Sequence, residues 1–209
     1  VKQRFLIAAH APRGYCLAMK ARHARFIVGA LLLATACTAR AQDLGAPMLL
    51  VAAPGTQGAY SRTALLVVSS AGGHAGFILN RVRDVKLAAV LPGNPLSANV
   101  IEPVRFGGPL GSKALIAMTR RDPGEGAKRI FGDVFMTSGA ATIDRIVEEM
   151  PQDARFFAGV VVWFPDELEA QIAAGEWIVA RPDAALVFSR DLEAMWGELV
   201  ASLGRTALK

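Results

Sequence analysis

In a chain of 209 residues, the side chains that ordinarily do chemistry are few and unevenly placed. Both cysteines, Cys16 and Cys37, and two of the three histidines, His10 and His23, precede residue 42. Beyond it there is no thiol for a disulfide, a thiolate metal site or a nucleophile, and His74 is the one imidazole. A Ser-His-acid triad would have to run through His74. That residue lies in Ser69-Ser70-Ala71-Gly72-Gly73-His74-Ala75-Gly76, a composition that predicts an exposed turn histidine. Thr137-Ser138 has no histidine or lysine near it in sequence to activate a hydroxyl, and reads as a helix entry. Asp166, Glu167 and Glu169 offer carboxylates for acid–base work or, equally, a solvated first helical turn. This inventory favours binding over catalysis, and it assigns no catalytic residue, no metal ligand and no cofactor.

Three groups of residues have the chemistry of a binding site. Asn80-Arg81 ends an apolar run, where an amide and a forked guanidinium would hold an anion or carboxylate; alternatively Asn80 turns the chain and Arg81 is solvated. Gly107-Gly108-Pro109 can bring backbone amides close to a ligand, or form a tight bend fixed by the proline. Trp163 and Trp177 can wall a pocket or pack in the core.

The segment from Met19 to Ala41 reads as an export signal. Lys20, Arg22 and Arg25 precede an apolar run over residues 26–36, and Ala39-Arg40-Ala41 offers a cleavage point before Gln42. The run is shorter than the roughly 18 residues that span a bilayer. The expectation is a leader over residues 1–41, with translation beginning at Met19, and a domain over residues 42–209 that is periplasmic or secreted. Leu33-Ala34-Thr35-Ala36-Cys37 is a partial lipobox, so Cys37 lipidation and a membrane-anchored lipoprotein is the alternative. Membrane contact is expected only through the signal or that anchor.

The whole chain has 23 Lys and Arg against 18 Asp and Glu, but seven of the basic residues and none of the acids fall in residues 1–41. Residues 42–209 therefore carry a net charge of −2. Pairs such as Arg120-Arg121 and Lys128-Arg129 read as a solvated face, and a nucleic-acid partner is not expected. The expected partner is a protein or a small molecule.

Short apolar runs must position these residues. Strands are predicted at 48–53, 63–69, 76–80, 104–106, 114–119, 156–162, 177–180 and 186–188, with a hairpin of 128–131 and 134–137 turning at Gly132-Asp133. The runs Leu65–Val68 and Val160–Trp163 predict strands covered on both faces. Helices are predicted at 142–150, with Ile143, Ile146 and Val147 on one stripe; at 165–174, between Pro165 and Gly175; and at 190–203, capped by Ser189. Residues 91–103, with three prolines, predict an irregular surface loop. The pattern is α+β: one compact domain with a mixed or antiparallel sheet and about three helices packed on it.

Three segments taken in order resemble the YqgE/AlgH family of bacterial proteins. They are Leu49-Leu50-Val51-Ala52-Ala53-Pro54 with Gly76-Phe77-Ile78-Leu79-Asn80-Arg81; Phe106-Gly107-Gly108-Pro109-Leu110; and Gly159-Val160-Val161-Val162-Trp163 followed by Leu168-Glu169 and Trp177. The chain departs from the family pattern near Gly58, where an aspartate is usual, and at Val82, Val160, Val162 and Glu167. The resemblance implies no established activity, although some members are named as transcriptional regulators. A cytosolic regulator and a carboxylate-dependent hydrolase are therefore the alternatives to an exported binding or regulatory protein.

Overall fold

The computed structural model describes residues 43–206. The expected leader, with Met19, Cys37, Ala39, Ala41 and Gln42, lies outside the described residues. In chain order the elements are β1 (Met48–Ala52), β2 (Ala64–Ser70), β3 (Gly73–Ile78), α1 (Leu87–Val90), β4 (Arg105–Phe106), β5 (Leu110–Thr119), β6 (Lys128–Phe131), β7 (Val134–Thr137), α2 (Ala140–Glu149), β8 (Ala154–Trp163), α3 (Glu167–Ala173), β9 (Trp177–Ala180), α4 (Ala184–Phe188) and α5 (Met195–Thr206). No helix among the described residues is long and apolar enough to cross a membrane.

The strands form one sheet in the order β6-β7-β5-β8-β3-β2-β1-β9, antiparallel throughout, with β4 added parallel to β8. The sheet curls. Val68 and Ser69 of β2 share a small cavity with Lys128, Arg129 and Ile130 of β6, although β2 and β6 are five places apart in the strand order. In a flat sheet that separation would be about 24 Å, at ~4.8 Å per strand. Period-two alternation then gives the strands two apolar faces. The concave face carries Leu49, Leu66, Phe77, Met118 and Phe157, covered in part by Val187 and Phe188 of α4 and Met195 of α5. The convex face splits into two clusters. One packs Phe156 and Ala158 against Ile143, Ile146 and Val147 of α2; the other packs Leu50, Leu65, Ile78 and Trp163 against Leu168 of α3.

A bulge sets the strand register near the middle of the sheet. On the β5–β8 ladder Leu110 pairs with Val160 and Leu115 with Ala158, so residues 111–114 are looped out opposite Gly159. Gly159 has φ +81°, and a Cβ there would collide with the Gly108 carbonyl oxygen. No residue but glycine fits both constraints.

The architecture is the expected α+β single domain, and the 128–137 hairpin forms as read. Four local expectations are corrected. Residues 186–188 are the end of α4, not a strand: Asp183 accepts the Ala185 N–H and starts a helix, and three apolar residues alone cannot tell the two states apart. Ser189 follows α4 instead of capping the last helix, which begins at Met195, and the Asp191 carboxylate accepts the Ala194 N–H just ahead of it. His74 is buried on β3 beside Trp163, with Nε2 2.9 Å from the Leu44 carbonyl oxygen, to which it donates. The stretch 91–103 contains a 3-10 turn, Pro95–Asn99, whose Asn94 caps Leu96 N–H and donates to Asp144 of α2; Asn94, Ser97 and Val100 are buried.

Candidate functional site

One further expectation fails in a way that opens a site. Val161 and Trp163 are buried, but Val160 is half-buried and Val162 is 37% exposed, so β8 is covered on its convex side and open on its concave side. The opening is a cleft of about 510 Å³. Phe77 of β3, Ile116 of β5, Met136 of β7 and Val160 of β8 floor it, and Lys128, Thr137, Ser138 and the Gly126-Ala127 backbone form its rim. The apolar surface continues past the cleft. Leu110, 54% exposed, lies opposite Val160, and Val162 lies opposite Ala75 on the same sheet face.

The rim is held in place by side chains that donate to loop carbonyls. Thr137 Oγ1 donates to Gly126 O at 2.8 Å, Thr142 Oγ1 to Glu125 O at 2.8 Å, and Arg145 to Pro123 O at 2.8 Å. These bonds fix the 123–127 turn to β7 and α2, so the lip is built in advance of any ligand. Lys128 is the one charged residue lining the cleft, and it takes part in none of the ion pairs found among the described residues.

Strand pairing brings Lys128 to the same cleft as Thr137 and Ser138, a proximity invisible along the chain. No hydrogen bond joins Lys128 to either hydroxyl, and Thr137 Oγ1 is already committed to Gly126 O and Gly139 N–H. The cleft therefore presents a binding chemistry: apolar walls, one cation, one free hydroxyl and a few backbone groups. Among the described residues no group of three His, Cys, Asp or Glu side chains stands close enough to hold a metal ion.

The structure places the sequence-predicted site residues elsewhere. Asn80 accepts the Ala64 N–H and donates to Arg62 O, and Arg81 donates to the carbonyls of Ala59 and Ser61. Together they clamp the 58–62 turn, whose Arg62 has φ +56°. Arg81 and burial act oppositely on nearby Tyr60: burial, the larger effect, raises its pKa and the guanidinium lowers it. Gly107 and Gly108 lie where a Cβ would strike the backbone of Gly159 and Val160, so their lack of a side chain serves a close strand crossing. Trp163 and Trp177 stand edge to face, ring centres 6.3 Å apart, and both indole N–H groups donate to Oε1 of Gln171, at 2.9 and 2.8 Å. None of the six lines the concave cleft. Of the α3 carboxylates, Glu167 accepts the Phe164 N–H across the turn that starts the helix.

Two arginines on strands, Arg105 of β4 and Arg155 of β8, are buried, and nothing in their local sequence signals it. Arg105 donates to the carbonyls of Leu79, Val187 and Ser189, and Arg155 to those of Ala154 and Phe188. They thus cap the C-terminal end of α4, where the carbonyls are free and the dipole is negative. Burial, and then the neighbouring Arg155, brings the Arg105 pKa down to about 10, with Glu102 opposing. Burial also lowers that of Arg155, again against Glu102.

A family model described as AlgH-like (DUF179) matches residues 49–207. Relatives called UPF0301 protein include one from Chlorobium luteolum, 29% identical over 77% of this chain and 87% of its own, and one from Chlorobium phaeobacteroides, 28% identical over 75% and 85%. Among solved structures, the AlgH protein of Pseudomonas aeruginosa is similar with a TM-score of 0.65 at 20% identity, over 76% of this chain and 88% of that one. A crystal structure of a Corynebacterium diphtheriae protein gives a TM-score of 0.62 at 24% identity, over 74% and 85%.

Proposed function

The chain belongs to the AlgH-like family, whose function is not established, and from that premise we propose that it is a non-catalytic binding protein of the cell envelope that holds an amphipathic small molecule in its concave cleft. The observation that carries this reading is the open 510 Å³ volume on a sheet face that α4 and α5 cover only in part. Phe77, Ile116, Met136 and Val160 supply apolar area, and each methylene buried there contributes about 0.8 kcal/mol. The unpaired Lys128 ammonium at the rim selects a ligand with an anionic head, such as a carboxylate. The exposed Leu110–Val162 strip lets an acyl chain longer than the cleft continue along the sheet.

Calorimetric titration with dodecanoate, below its micelle-forming concentration, tests this. Saturable one-to-one binding is expected, weakened about tenfold by Lys128→Glu and lost in Met136→Trp, with dodecanol binding more weakly than the acid. Equal binding by all three proteins, or none by any, removes the reading. The envelope address rests on the Met19–Ala41 pattern and on the net negative charge of residues 42–209. Fractionation with intact-mass measurement checks it: a native N-terminus at Gln42, or a lipidated Cys37, is expected, and an unprocessed chain in the cytosol would favour the alternative of a cytosolic regulator.

A further inference from the structure

A second cleft, of about 430 Å³, shares no lining residue with the first and is lined by Glu102, Arg105, Gln152, Ser189 and Arg190 among others. Its charges do not balance. Arg105 and Arg155 are buried at 2% and 5% exposure, and the carbonyls they bond satisfy N–H groups without cancelling charge. Arg190 adds a third guanidinium, largely exposed. Against these stands one carboxylate, Glu102, leaving two positive charges in excess.

That carboxylate is divided between two partners. Its Oε1 accepts from Arg190 Nε at 2.8 Å, while its Oε2 stands 3.7 Å from Arg155 Nε, too far for a hydrogen bond. Arg155 Nε is buried with no other partner. The Glu102 side chain is 13% exposed, and a shift of under about 1 Å would bring its Oε2 within hydrogen-bond distance of Arg155 Nε. An unpaired donor behind Glu102 and a half-engaged arginine in front of it define one missing negative group.

We propose that this cleft binds a small phosphate-type oxyanion, held by Arg190 at its mouth over the positive field of Arg105 and Arg155. Glu102 is its gate: on binding, the carboxylate yields Arg190 to the ligand and closes on Arg155 Nε. A phosphate or phosphate monoester carries a charge of about −2 near neutral pH and matches the excess. The forked guanidinium of Arg190 suits its oxygens. Inorganic phosphate and an esterified headgroup share this chemistry.

The test titrates the full chain with inorganic phosphate and, separately, glycerol phosphate at constant ionic strength against chloride, reading affinity by calorimetry. Saturable binding is expected for at least one of the two, and the tighter one identifies the source. Arg190→Gln should weaken it at least tenfold. Glu102→Gln should tighten it at least threefold, an outcome that a purely structural Glu102 does not produce. Phosphate behaving as chloride does, or both variants binding as the wild type, overturns the proposal. If Glu102→Gln does not fold, the arginine Nε–H resonances of the wild type decide: phosphate must move those of both Arg190 and Arg155, and unmoved resonances at saturation overturn the gate.

Discussion

Gln171→Leu is the sharpest single perturbation of the fold. One amide oxygen accepts both the Trp163 and the Trp177 indole N–H, and these side chains are 3% and 5% exposed. Leucine keeps most of the packing volume but strands two buried donors, each costing ~1–3 kcal/mol. Because Gln171 is itself only half-buried and water can approach, the expected loss is about 2–4 kcal/mol. For a domain of this size 1 kcal/mol moves Tm by ~2–4 °C, so the melt should fall by roughly 5–15 °C. Urea denaturation followed by circular dichroism measures the loss. The control is the same substitution in a Trp163→Phe, Trp177→Phe background, where no donor is stranded and the cost should drop below about 1 kcal/mol. A wild-type stability for Gln171→Leu, or an equal loss in both backgrounds, would refute the shared-acceptor account.

Gly159→Ala should cost at least about 3 kcal/mol or abolish soluble expression, because its φ of +81° and the Gly108 carbonyl both exclude a side chain; Gly111→Ala, at φ +59° with only an ordinary contact to the Ala114 Cβ, should cost only ~1–2 kcal/mol, and thermal melts compare them. Asn80→Ala leaves the Ala64 N–H and Arg62 O unpaired, and should cost about 1–3 kcal/mol while speeding amide exchange across residues 58–64 well above the rest of β2. Arg105→Met removes the buried group that ties Leu79 to the end of α4; a loss of ~3–5 kcal/mol in urea melts is expected, with Phe188 and Ser189 the first amides to lose protection.

What the sequence reveals and hides follows from how far each cause reaches along the chain. The α2 stripe of Ile143, Ile146 and Val147 is a local 3.6-residue period, and those three side chains are buried, together with Thr142. The Gly132-Asp133 hairpin is equally local. The turn role of Asn80 was visible beside its binding role, and the structure uses its amide for the turn. By contrast, Arg105 meets its partners 26, 82 and 84 residues away, so no window of sequence shows that it is buried. The open concave side of β8 was hidden for the opposite reason. Val160-Val161-Val162 reads as apolar throughout, and only the sheet's curl and the coverage by α4 and α5 decide which of these valines meets solvent. His74 was misread because its glycine neighbours suggest a turn, whereas Gly73 and Gly76 make room for Trp163 and its backbone.

The cleft reading is tested most directly by methyl NMR of the protein titrated with dodecanoate. Saturable shifts confined to Ile116, Met136 and Val160, with the same resonances silent in Met136→Trp at its remaining positions, are the expected result. Shifts that stay linear with concentration, or that centre on methyl groups away from the concave face, would contradict it.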